Sequence, residues 1–347
     1  MFRRFCLFLL ILTALPSSVR AGALSLAANR PESDSAVAAQ LESVRAAGLA
    51  LASAGFRLST ANAALCDRLE PGHGIQLHRI DQYPLAARAA VRAHFRFAGA
   101  TAVAGVVPGS PAEQAGVRAD DTVLAFGPVA VPPASDGPPS TVGLVALWQG
   151  VAALPPTAPI RIDLLRDGAP LTVTVTPIPA CRTRYELLFT PALEASANGE
   201  MVQISTGYTD RFGDELVLAV LAHELAHNIL RHRDRLKAVG AEFGMLSGFG
   251  RNMGFFRQAE LQADTLAVHL LARAGYPADL ASRFRQHPVA RARSGMFQSP
   301  SHPQWRDRLR VALAEEARIA ANGPGAPFVA ERDAPLTGDW RPLVPKP

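Results

Sequence analysis

The segment His223-Glu224-Leu225-Ala226-His227 combines two imidazoles and a carboxylate at a spacing that suits metal-assisted hydrolysis. On an α-helix, residues four apart lie one above the other, so both rings can reach one ion. Glu224 then sits just off that axis, where it can touch a metal-activated water without ligating the metal. Such a site needs a third protein ligand and an open position. Glu260, in Gln258-Ala259-Glu260-Leu261-Gln262-Ala263-Asp264, is the candidate third ligand. Asp264, one turn later, is placed to accept the spare N–H of a ligand histidine and fix its tautomer. Two plainer readings stand beside this one: a core helix with two satisfied histidines, and a solvated acidic face at Glu260 and Asp264.

Helices must carry these groups. Residues 214–222 run into the first motif without Gly or Pro, with Asp214 as the expected N-cap and Glu215 suited to the first turn. Leu218, Leu221, Ala222 and Leu225 form an apolar stripe that would bury the helix beneath the site. Arg231, Arg233 and Arg235 follow at its C-terminal end, where cations are favoured. Between the two metal-bearing helices, residues 240–256 are Gly-rich and apolar, which fits either a flap over the cleft or a plain connector.

Four motifs in order resemble one family. These are the first motif, then Glu260-Leu-Gln-Ala-Asp264, then Ala274-Gly275-Tyr276-Pro277, then Ser301-His302-Pro303 with Arg308. Together, over residues 181–315, they resemble the HtpX-like and CaaX-prenyl-protease-like zinc metallopeptidases, metallopeptidase family forty-eight. The resemblance implies one Zn²⁺ per chain on His223, His227 and Glu260, with Glu224 as catalytic base and Asp264 behind the ligands. It also places His302 beside the metal, as an inhibitory fourth ligand, an oxyanion donor or a packing residue. Tyr208 is a second candidate oxyanion donor. The expected mechanism has Glu224 take a proton from water and pass it to the leaving amine. An extended peptide would pair with the edge of a strand at Met201–Thr206.

The middle of the chain reads as a second module. Val91–Phe97 alternates like a strand, and Ala102–Val107 is an apolar run. A turn and a short helix closed by Gly116 lead into a strand at Thr122–Phe126. A helix near Val142–Val151 and a hairpin of Ile160–Leu165 with Leu171–Thr176 follow. The pattern resembles the PDZ domains attached to bacterial proteases, with Asp120 where those modules carry Gly. The resemblance implies a groove for a peptide tail, its carboxylate loop falling at Phe97–Ala100; a purely structural insert is the alternative. Cys66 and Cys181 flank this module, and their meeting at its stem as a disulfide is expected; two buried free thiols are the alternative.

Arg3 and Arg4 precede an apolar run, Phe5–Leu15, and small residues follow, in the form of a secretory signal peptide. The run is about half the length a membrane span needs. An exported chain, periplasmic or secreted, is expected, with no transmembrane span once the leader is removed. The net charge of +5 is modest and mixed, which excludes nucleic acid as an expected partner. His73, His78, His94, His232, His269 and His287 lack partners at ligand spacing and read as core or surface residues.

The expected fold is therefore α+β: a mainly helical metallopeptidase domain with a small edge-strand sheet, plus an inserted β-rich PDZ-like domain. Its parts are a signal peptide at 1–23, a helical segment at 24–66 packing on the peptidase domain, the PDZ-like domain at 67–180, the peptidase domain at 181–320, and an extended or disordered tail at 321–347. The expected function is an exported zinc endopeptidase acting on proteins or peptides, in envelope quality control. A binding module or chaperone on a catalytically idle zinc platform is the alternative, and hydrolysis of a non-peptide substrate is a third reading.

Overall fold

Helix and sheet are mixed in this protein, for which the computed structural model describes residues 34–241, 250–293 and 302–346. The leader and residues 242–249 of the 240–256 connector lie outside the described residues, and 250–256 already belong to a helix. Helix α1, Asp34–Ala61, is rich in Ala and Leu and free of Pro, and it falls inside the expected helical segment at 24–66. In α1, Leu41 packs against the cluster of Ile80, Tyr83 and Phe95, and Leu49 lies against Gly105. Its second half packs Leu51 and Leu58 into the helical core, so α1 bridges two bodies rather than serving one.

The chain then enters the second body through a stem. Strand β1, Leu69–Gly72, pairs antiparallel with β8, Ile178–Cys181, with Leu69 opposite Cys181. Cys66 and Cys181 are joined by a disulfide across this stem, their Cα atoms 5.5 Å apart. Between the stem strands lie β2 (Ile75–Arg79), α2 (Arg88–His94), β3 (Thr101–Val106), α3 (Pro111–Gln114), β4 (Thr122–Phe126), β5 (Val129–Ala130), α4 (Val142–Ala152), β6 (Ile160–Arg166) and β7 (Ala169–Val175). They form an antiparallel sheet in the order β2-β3-β4-β6-β7, with β5 on β4. Val103, Phe126, Leu147, Ile162 and Leu164 are its buried core.

Two local expectations change here. Residues 91–97 are not a strand: Arg88–His94 is helical. Val91 and Phe95 fit a period of two, but they are also four apart, and the Ala-rich surroundings favour the helix that buries both. Asp120 does adopt the left-handed conformation that Gly would favour, with φ of 69°. An aspartate tolerates that region better than most side chains, and Arg45 binds its carboxylate at 2.6 Å.

The remaining body begins with a three-stranded sheet, β9 (Arg184–Leu188), β10 (Ala195–Ala197) and β11 (Met201–Ser205), in the order β10-β11-β9. The long helix α5, Thr206–Ile229, follows directly, then α6 (His232–Ala238), α7 (Gly250–Arg273), α8 (Leu280–Gln286), α9 (Pro288–Arg293) and α10 (Trp305–Asn322). The α5–α7 interface supplies most of the core, through Leu221, Leu225, Ala226, Ala263, Leu266 and Leu270. A helical stretch from Thr206 precedes the motif helix, and the two join across Gly213, which is non-helical at φ 72°; the motif helix thus begins beside Asp214, within one residue of the expected cap. Beyond α10 the chain is extended, with single 3-10 turns at Val329–Glu331 and Arg341–Leu343. It lies on α6 and α7, burying Leu336 beside Leu236 and Phe255. No helix among the described residues is long and apolar enough to cross a membrane.

Candidate metal centre

Helices α5 and α7 bring the two motifs face to face. His223 Nε2 and His227 Nε2 stand 3.1 Å apart. The Glu260 carboxylate faces both, Oε2 at 3.5 Å from His223 Nε2 and Oε1 at 3.4 Å from His227 Nε2. One ligand atom from each of the three lies within 4.8 Å of the others, so the group can hold a metal ion. On α7 the apolar residues Leu261, Leu266 and Leu270 are fully buried in the core, which turns Glu260 and Asp264 toward α5.

Carboxylates and guanidiniums surround these ligands. Asp264 Oδ1 is 3.0 Å from His223 Nδ1, behind the ring as the ligand reading requires. Arg308 on α10 holds Asp264 through Nε at 2.5 Å and Nη2 at 2.7 Å, and Arg285 on α8 adds a contact at 2.7 Å. Arg308 Nη2 also reaches Glu260 Oε2 at 3.2 Å and stands 3.4 Å from His223 Nε2. Burial works against the charge on Asp264, but Arg285 and Arg308 outweigh it and hold the carboxyl far below its ordinary range. Glu260 is likewise buried, yet His302 and Arg308, with the two histidines, keep it well below its usual value. Burial opposes the positive form of His223, but Asp264 and Glu260 prevail and push its pKa up to about 9. Two imidazoles with one carboxylate are a donor set that suits a divalent transition metal with an open position.

Glu224 lies in the wall of a cleft of about 1200 Å³ that also contains the three ligands. Burial raises its pKa against the opposing pull of His223 and His227, the direction a proton acceptor working near neutrality needs. His302 enters the same cleft, Nε2 at 3.9 Å from Glu260 Oε2, and Tyr208 lines it further out. The opposite rim is β10. Asn228, the residue after His227, fixes that rim by accepting from Gly199 N at 2.7 Å and donating to Met201 O at 3.3 Å.

The expected substrate edge at Met201–Thr206 is therefore misplaced. Strand β11 is the middle strand, paired to β10 on one side and β9 on the other, and residue 206 already belongs to α5. Its hydrophobic pattern marks it as a strand but does not say how many neighbours it has. The edge that faces the cleft is β10. Asn198 N donates to Met201 O and Ser205 N donates to Glu194 O. By antiparallel alternation, Ala195 and Ala197 therefore turn their N–H and C=O groups outward.

His232, Gln262 and Arg285 join the site without having carried a signal in the sequence. His232 Nδ1 is 2.9 Å from His227 Nδ1, and His232 Nε2 is 3.2 Å from Gln262 Oε1. A residue five positions after His227 would point elsewhere on a continuous helix. Here the chain breaks at Arg231, which takes a left-handed φ of 54° and swings His232 back. The other histidines are accounted for locally: His269, for example, is buried and pairs with Glu315 at 3.0 Å. Phe97–Ala100 is internally engaged, Phe97 N donating to Arg92 O and Ala98 N to Thr122 Oγ1.

Compared with known families and curated proteins, the sequence matches no family model and no curated protein.

Proposed function

We propose that this chain is an exported zinc-dependent endopeptidase. One observation carries the reading: two imidazole nitrogens and a carboxylate converge at 3.1–3.5 Å in the wall of a cleft that Glu224 shares and an open strand edge borders. A bound zinc would supply Lewis acidity toward a carbonyl and a water. The protein's own groups do the rest. The outward N–H and C=O groups of Ala195 and Ala197 hold an extended peptide by strand addition, which tolerates varied side chains. Glu224 accepts the water proton at its carboxylate and delivers it to the departing amine nitrogen. His302, whose Nε2 is 3.9 Å from Glu260 Oε2, would donate to the developing oxyanion. Arg308 and Asp264 keep His223 oriented.

The metallopeptidase resemblance, the leader-like N-terminus and the disulfide support export to an oxidising compartment, the periplasm or beyond. The six-stranded sheet supports the PDZ-like reading of residues 67–180. Its edge strand β2 and helix α4 wall a second cleft of about 420 Å³, with Gln76 and Trp148 in its lining, suited to a peptide tail. A binding module on an idle zinc platform would have no use for Glu224 beside its ligands. Metal analysis of the purified protein should find one zinc per chain, and casein cleavage should stop with a chelator and return with zinc. A metal-loaded protein inert toward denatured proteins would favour the binding-module reading.

A further inference from the structure

Beside the ligands stand three buried polar side chains that the reaction itself does not use: His232, Gln262 and Arg235, at 1%, 2% and 6% exposure. We infer that Arg235, Gln262 and His232 form an ordered hydrogen-bond relay, backed by the C-terminal segment, that fixes His227 as its Nδ1–H tautomer and so aims its Nε2 lone pair at the metal. The inference rests on the metal-site reading above.

The order follows from the donor and acceptor character of each group. Arg235 has only N–H donors, and its Nη1 is 3.1 Å from Gln262 Oε1, so that oxygen is the acceptor. His232 Nε2, 3.2 Å from the same oxygen, must then be the protonated nitrogen of its ring. The His232 ring is 1% exposed and its hydrogen-bond partners are an amide oxygen and an imidazole, neither of them a carboxylate, so with Nε2 protonated its Nδ1 carries the lone pair. His227 Nδ1, 2.9 Å away, therefore donates, which leaves His227 Nε2 unprotonated and facing His223 Nε2 and Glu260. Reversing any one link would put two lone pairs or two protons against each other in a buried place, which is unfavourable.

The far end of the relay is anchored by the C-terminal segment. Arg235 Nε donates to Ala334 O at 2.9 Å. Asp333 pairs at 2.8 Å with Arg231, the residue whose left-handed turn brings His232 into place. Thr337 N and Gly338 N donate to Gln258 Oε1 on α7, at 3.0 and 2.9 Å, and Leu336 is buried between α6 and α7. The segment thus holds the two helices that carry Arg235 and Gln262 in register with each other.

The decisive measurement needs neither activity nor a variant. Imidazole ¹⁵N spectra of the metal-free protein should show His227 as the Nδ1–H tautomer and His232 as Nε2–H; an Nε2–H tautomer at His227 would overturn the relay. Zinc affinity, by chelator competition, gives the second readout. Gln262→Leu removes the acceptor and should weaken zinc about 10–100-fold. Gln262→Glu keeps an acceptor there and should stay within about threefold of wild type. A folded Gln262→Leu protein with unchanged zinc affinity and His227 tautomer would also overturn it. Failure of the wild-type protein to take up zinc would defeat the endopeptidase reading instead, since the tautomers are read without metal.

Discussion

Glu224 and Glu260 are both buried carboxylates near the same imidazoles, yet their surroundings push them in opposite directions. Burial dominates at Glu224 and raises it, while His302, Arg308 and the two histidines hold Glu260 ionised. An ionised ligand and a more basic neighbour are what metal binding and proton transfer respectively require. Glu224→Gln should therefore retain one zinc and lose about 10²–10⁴-fold in turnover. Metal analysis beside a peptide-cleavage assay checks both halves, and wild-type turnover in this variant would remove Glu224 from the chemistry. His302 is tested by His302→Ala: loss of an oxyanion donor should cost about 10²-fold or more in turnover with zinc retained. Increased basal cleavage would instead identify His302 as an inhibitory ligand. His223 and His227 were legible as a converging pair because helical spacing alone puts them together. His232 was not, because an arginine with positive φ leaves no mark in the sequence.

At the level of elements, the sequence identified β11 but not its place in the sheet. Pairing partners are a tertiary property, and a buried central strand and a half-buried edge strand can share the same short apolar pattern. The same limit explains α2, where Val91 and Phe95 satisfied two periods at once. By contrast, the 108–126 turn, helix and strand, the β6–β7 hairpin and α4 were all anticipated, since glycine and proline punctuation fixes such local structure. The corrected edge makes a prediction of its own. Ala197→Pro would delete one outward donor of β10 without touching its bonds to β11, and proline is tolerated at an edge in that position. The loss of one substrate hydrogen bond should lower kcat/KM about 2–10-fold, with zinc content and melting temperature unchanged. An equal proline substitution at Gln203, in the middle strand, should instead unfold the sheet. Unchanged kinetics for Ala197→Pro would place the substrate elsewhere in the cleft.

For the molecule as a whole, the stem between the two bodies carries a covalent crosslink. Cys66–Cys181 closes a loop with a sequence separation of 115 residues, and a crosslink of that span stabilises by about 4–5 kcal/mol in the chain-entropy model. Its reduction should lower the denaturation midpoint accordingly. In and after β1 lie three titratable groups with opposite pH dependence, His78 buried and Glu70 and His73 half-buried. Burial lowers His73 to about 4 and His78 to about 3. Both rings are neutral in the folded protein, so their contribution is present above the ordinary histidine pKa and is lost as pH falls from 6.5 through those values. Glu70 is the reverse case. Burial raises it to about 8, against the weaker pull of Thr183, Arg182 and Arg184, and its Oε2 has no hydrogen-bond partner. The folded state therefore holds a proton that the unfolded chain releases near 4.5, so this contribution is present below 4.5 and is lost as pH rises to 8. Each such group tilts stability by at most about 1.4 kcal/mol per pH unit within its window. Glu70→Gln, which keeps the shape but cannot ionise, should flatten the decline between pH 5 and 8 and be more stable than wild type at pH 8. Denaturant midpoints measured across that range test it, and parallel curves for the two proteins would mean that Glu70 is ionised and solvated in the fold.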